Sequence, residues 1–198
     1  MNYQPPMRLR PLCFLDTETT GLDANSCEIL SIAIRTVTAD SGTYDYETLV
    51  MPAHPERIHP KAKAVNGFDE NVWALGGAKP FSAVAETIRS RLDGVIIAGW
   101  NPKFDCDFLN AEFARLGIET RFGYHAIDGT ALAWEHLVPL GLDSLSLDNV
   151  CKFLRVEIPG AKAHTAMGDV LRTQEVFRLL RNATWFDRMR WARQNRKP

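Results

Sequence analysis

Two carboxylates stand two residues apart at the end of an apolar run. Asp16 and Glu18 follow Leu12-Cys13-Phe14-Leu15. In a strand, residues i and i+2 point to the same side, so both acids address one place. Unpaired, the two charges would repel and be costly to desolvate. A divalent cation removes both costs, and oxygen-only sites suit magnesium or manganese. The competing reading is a strand end carrying two solvated acids. Two later stretches bear on the choice. Gly99-Trp100-Asn101-Pro102-Lys103-Phe104-Asp105 places an acid at the start of a helix, just beyond an apolar run. His164-Thr165-Ala166-Met167-Gly168-Asp169 places a histidine before a helix and an acid one turn inside it. Alone, each has a bland role. A first-turn acid complements the helix dipole, and a histidine before a helix is an ordinary surface residue.

The elements that must position these groups follow from periodicity. Leu12 to Asp16, Ile29 to Thr38 and Thr43 to Met51 read as strands, and the glycine-containing turn 39–42 makes the last two a hairpin. The segment 52–80 reads as loop with one short helix at Pro60 to Val65. Phe81 to Leu92 has a helical apolar rhythm. The continuous apolar run Val95 to Ala98 fits a strand covered on both faces. Phe104 to Leu116 reads as a helix closed by Gly117, and Tyr124 to Asp128 as a short fifth strand. Leu132 to Leu137, Leu145 to Leu154 and Thr165 to Leu180 read as helices. A meander followed by alternating strands and helices predicts an α/β domain, a mixed five-stranded sheet flanked by helices. The expected division is an extended lead-in at 1–11, one domain at 12–182 and a basic helix or tail at 183–198.

The 198 residues are 45% hydrophobic and 24% charged, ordinary for a globular chain with a real core. No run is long and apolar enough to span a membrane, and the first eleven residues lack a signal-type apolar run. Cys13, Cys27, Cys106 and Cys151 form no CxxC pair, which argues against a zinc site or disulfide framework and predicts a cytoplasmic protein with reduced thiols. The net charge of −1 does not itself suggest a nucleic-acid binder, although two bound divalent cations would turn it positive. Charge is uneven: Arg178, Arg181, Arg188, Arg190, Arg193, Arg196 and Lys197 face only Asp187 in the last stretch. That is either a phosphate-contacting arm or, the favoured reading, a solvated helix end.

Taken together and in order, the strand-borne Phe-x-Asp-x-Glu-Thr-Thr-Gly-Leu, the Asn-x-x-Phe-Asp that opens a helix, and His-x-Ala-x-x-Asp resemble the motifs of the DEDDh 3′→5′ exonucleases, the DnaQ-like or RNase T superfamily. The resemblance runs from about Leu12 to Leu180. It implies an RNase H-like fold and hydrolysis of phosphodiesters at single-stranded DNA or RNA 3′ ends, with two divalent cations, Mg2+ or Mn2+. On this resemblance Asp16 bridges the cations, Glu18 and Asp169 serve the nucleophile side, and Asp105 supports the leaving-group side, in part through water. His164, neutral when it acts, takes a proton from the attacking water. The turn Thr17, Thr19, Thr20, Gly21 and Leu22 seats the terminal nucleotide, with Leu22 as a wedge against a base. Asn101 and Phe104 join as substrate contacts. Phe104 and Phe68 could stack on a base, with core packing as the competing role for both.

Two departures stand out. The family often has histidine before the Asn of the second motif, where this chain has Trp100, and small residues where it has Pro102 and Lys103. None of these is a metal ligand in the family. The competing functions are a non-catalytic nucleic-acid-binding or polymerase-associated module, and an endonuclease of RNase H type. Any proofreading role would need a polymerase or another replication or repair protein in trans. DNA against RNA, and monomer against homodimer, stay open at this stage.

Overall fold

A computed structural model describes residues 6–40 and 42–195. The elements are β1 (Leu12–Thr19), β2 (Ile29–Val37), β3 (Thr43–Leu49), α1 (Pro60–Asn66), α2 (Glu70–Leu75), α3 (Phe81–Leu92), β4 (Ile96–Gly99), α4 (Pro102–Arg115), β5 (Ala126–Asp128), α5 (Gly129–Leu137), α6 (Leu147–Leu154), α7 (Ala166–Arg181) and α8 (Trp185–Gln194). The five strands form one sheet in the order β3-β2-β1-β4-β5. β1 is antiparallel to β2 and parallel to β4, while β4 is parallel to β5. The sheet is therefore mixed, and β1 is its central strand.

The parity of β1 decides which helix meets which side chain. Cys13 and Leu15 enter one core with Phe81, Val84 and Ile88 of α3 and Cys106, Leu109 and Phe113 of α4. Phe14 points the other way and packs with Ala166, Val170 and Phe177 of α7. Its ring meets Phe177 edge-on, with centroids 5.2 Å apart. Asp16 and Glu18 continue the Phe14 face, toward the start of α7. Thr17 continues the Leu15 face, toward the start of α4. A third cluster joins α5, α6 and α7 to the buried Trp191 of α8.

Several element boundaries differ from the sequence reading. β1 does not end at Asp16 but runs to Thr19, because its polar end stays paired with β2 as far as Ile29. β3 stops at Leu49 rather than Met51, and β5 is only Ala126–Asp128. The segment 52–80 holds a second helix, α2, started by Asp69, whose carboxylate accepts from the N–H groups of Asn71 and Val72. α4 begins at Pro102 rather than Phe104, since proline is at ease in the first turn of a helix.

Candidate active site

The acid cluster forms where the two faces of β1 run out. Asp16, Glu18 and Asp169 each offer an oxygen such that all three lie within 4.8 Å of one another. Two come from β1 and the third from the first turn of α7. Thr165 caps that helix by accepting from the N–H of Gly168, which fixes the turn carrying Asp169. Gly168 is there because the chain passes so close: a Cβ would lie 1.8 Å from the carbonyl oxygen of Lys162.

Asp105 arrives from the opposite side of the sheet. Its Oδ1 accepts from both the backbone N–H of Thr17, at 2.8 Å, and the Thr17 hydroxyl, at 2.7 Å. It is 2% exposed and stands outside the three-acid group. It still acts on that group. Burial raises the Asp16 carboxyl well above the usual range, followed by the charges of Asp105, Asp169 and Glu18. Burial pushes Glu18 up to about 7, helped by Asp169 and opposed by His164. Asp105 is pushed to about 7 by burial, against the Thr17 hydrogen bonds. Asp169 is also raised, by burial, despite its bond to Arg172. Without a counter-ion, none of the four is comfortable as an anion.

His164 sits at the end of the connection from α6 to α7, with φ 58°. Its backbone N–H donates to Asp169 Oδ2 at 3.3 Å, and its half-exposed imidazole Nε2 lies 3.6 Å from Asp148 Oδ2.

A cleft of about 530 Å³ opens beside Glu18. Thr17, Thr19, Gly21 and Leu22 line it from the end of β1 and the turn that follows. His59, Lys61, Val65 and Asn66 line it from α1, with Phe104 and Cys27. α1 is held at both ends: the His59 N–H donates to Thr20 O at 2.8 Å, and Asn66 Nδ2 donates to Thr19 O at 3.1 Å. Leu22 is 88% exposed at the lip. Thr20 is buried, its hydroxyl accepting from the N–H of Glu28, and does not line the cleft. Asn101 lies outside it too. Its left-handed backbone (φ 58°) opens α4, and its N–H donates to Asp128. Phe68 is buried edge-on against Trp73 and is a core residue. Trp100 packs against the α5–α8 cluster and donates to Leu145 O. Lys103 pairs with Asp107 on the surface.

Sequence reasoning missed the α1 residues, Cys27, Asp148 and Arg172. For Arg172 a signal existed: it lies three residues beyond Asp169 on one helix, the spacing of a helical ion pair. For His59 and Asn66 there was none, because their partners lie on a carbonyl edge some forty residues away.

A mixed sheet with acids gathered at the end of its central strand defines an RNase H-like fold. The comparisons agree. A model of the exonuclease (RNase_T) family matches residues 13–177, so the chain belongs to the DnaQ-like exonuclease family. A DNA polymerase III subunit epsilon-like protein of Rhodobacter capsulatus is 30% identical over 177 residues, which cover 88% of this chain and 24% of that protein. Ribonuclease T of Escherichia coli K12 is 26% identical over 179 residues, 82% of this chain and 80% of the relative. Among solved structures, the zinc-bound E. coli exonuclease I–single-stranded DNA complex superposes with a TM-score of 0.75 at 21% identity, over 91% of this chain and 42% of that one. The chain thus spans about a quarter of the first relative and under half of exonuclease I.

Proposed function

We propose that the protein is a divalent-metal-dependent 3′→5′ exonuclease that releases nucleoside 5′-monophosphates from single-stranded DNA or RNA ends. The observation that carries this reading is the three-carboxylate cluster on the edge of a cleft bounded by the end of β1 and the turn that follows it to Leu22. The donors fit a hard dication. They are all carboxylate oxygens, and their raised pKa values mark negative charge that lacks compensation. Asp16, Glu18 and Asp169 would hold it, with Asp105 supporting from beneath through Thr17. Mg2+ or Mn2+, one or two ions, would supply nucleophile activation and stabilise charge on the phosphoryl group.

The chain's own groups do the rest. His164 takes the proton of the attacking water as its oxygen bonds to phosphorus. The bond to the 3′-oxygen of the shortened strand breaks. That oxygen leaves with the bonding electron pair and takes a proton from solvent water to become a hydroxyl, and His164 returns its proton to solvent. Backbone groups near Glu18 and Thr19 meet the 3′-hydroxyl of the terminal nucleotide, and Leu22 and Phe104 offer apolar surface to its base. Residues 12–182 form the catalytic unit on this reading, and α8 packs onto it through the buried Trp191 rather than standing apart as a basic tail. A replication or repair polymerase is the partner class suggested by the epsilon-like relative, and reduced cysteines suit the cytoplasm.

The test uses 5′-labelled DNA and RNA oligonucleotides of one sequence, single-stranded and duplex, with magnesium or manganese. A ladder of shortened products and 5′-monophosphates is expected. Absence of shortening, or activity that survives Asp16→Asn, would overturn the reading.

A further inference from the structure

Outside the three motifs, one side chain closes a ring around the catalytic histidine. Asp148 stands in the first turn of α6. Its Oδ1 accepts from Arg172 Nη2 at 2.5 Å, and Arg172 Nη1 donates to Asp169 Oδ1 at 2.8 Å. The arginine side chain is 12% exposed while that of Asp148 is 52% exposed, so Arg172 is a largely buried link that reaches out to a carboxylate at the surface. With one oxygen of Asp148 clamped, the other faces His164 Nε2 at 3.6 Å. His164 in turn donates its backbone N–H to the second oxygen of Asp169. The ring therefore runs Asp148, Arg172, Asp169, His164 and back to Asp148. It joins α6 to α7 across the connection 155–165, which has no helix or strand of its own.

We propose, resting on the exonuclease reading, that Asp148 is a positioning residue for His164. Its free oxygen orients one imidazole nitrogen, leaving the other to receive the water proton, and its charge then faces the imidazolium so formed. At 3.6 Å the contact is longer than a hydrogen bond, so it acts on the imidazole as a nearby carboxylate rather than through a formed bond. The bland alternative is that Asp148 serves only Arg172 and the dipole of α6. The two differ in what the free oxygen does.

Asp148→Asn separates them. An amide keeps an oxygen for Arg172 but removes the negative charge that faces the imidazole. The expected result is a kcat lower by about 10–100-fold, the size of effect that outer-shell partners of metal ligands have on activity, with KM and Mn2+ affinity little changed. Asp148→Glu should restore part of the rate. In a His164→Ala background, Asp148→Asn should cost nothing further, because groups acting through one another are not additive. Additive losses, or a fall in Mn2+ affinity equal to the fall in rate, would overturn the proposal. A second readout needs neither metal nor turnover: the ring 15N resonances of His164 in metal-free protein should shift in Asp148→Asn. An unchanged His164 signal overturns it as well. If wild-type protein releases no nucleotide, the exonuclease reading fails by itself, and the resonance shift still decides the Asp148–His164 contact.

Discussion

The metal-free protein should lose stability as pH rises from 5 to 8, and a divalent cation should cancel the loss. The cause is the acid cluster. Glu18 and Asp105 titrate near 7 in the folded chain, with burial the first reason for each, against about 4 when unfolded. A carboxyl whose folded pKa lies above its unfolded value lends full stability below the unfolded pKa, and this is lost as pH climbs through the folded one. For Glu18 the interval from 4.5 to about 7 corresponds to about 3 kcal/mol. In a chain of this size that is a fall in Tm of roughly 6–12 °C. Cation binding must also displace protons: about 0.9 from such a group at pH 6 and about 0.1 at pH 8. Thermal melts with and without magnesium from pH 5 to 8 measure the first effect. Calorimetric titration of Mn2+ in two buffers of different ionisation enthalpy measures the second. Asp16→Asn is the control: it should raise the metal-free Tm at pH 8, flatten the pH dependence and abolish turnover. A metal-free Tm that is level or rising over this range, or binding at pH 6 that releases no protons, would refute the reasoning.

Four further outcomes follow from the packing. Gly168→Ala places a methyl group on the Lys162 carbonyl and must push the His164 connection outward, so the rate should drop at least about 10-fold while most of the fold survives; steady-state kinetics beside circular dichroism checks this. Cys13, Cys106 and Cys151 are buried thiols, and burial pushes the first two up to about 12. Cys27 is only partly buried and lines the cleft, so maleimide should label it first in native protein and a nucleoside monophosphate should slow the labelling, as peptide mass mapping would report. Trp191 is 2% exposed and anchors α8, so Trp191→Ala should cost about 3–5 kcal/mol in denaturant melts, whereas Leu22→Ala at the exposed lip should leave stability within about 0.5 kcal/mol and weaken substrate binding.

The parts of the site that were legible from sequence are those encoded by spacing within one element. Asp16 and Glu18 share a strand face because their separation is two, and Asp169 falls in the first turn of a helix that Thr165 caps. The apolar rhythm of Phe81–Leu92 gave α3 its observed limits. What spacing does not encode is which elements stack on which face. Thr17 reads as one more polar turn residue until β1 is seen to continue through Thr19, which puts it on the α4 side, where it grips Asp105. The short α2 was overlooked in a segment rich in turn residues, although Asp69 was a usable start signal. Asp148 was indistinguishable from any first-turn helix acid.

The distribution of donors among the four acids suggests a division of labour that the motifs alone do not state. Asp105 has Thr17 on one oxygen, and Asp169 has Arg172 and the His164 N–H on its two. Among the described residues, no hydrogen bond reaches the carboxylates of Asp16 or Glu18. The protein has therefore tied down the acids borne on helices and left the two on β1 for something outside the chain to satisfy. A strand end is suited to that role. Its backbone is held in register against β2 through Glu18, which limits how far Asp16 and Glu18 can relax apart, and the repulsion between them stays available to favour a cation. A loop bearing the same residues would relieve the repulsion by moving. The instability expected of the metal-free protein at high pH and its affinity for a dication are then one property, and any substitution that relieves the first should weaken the second.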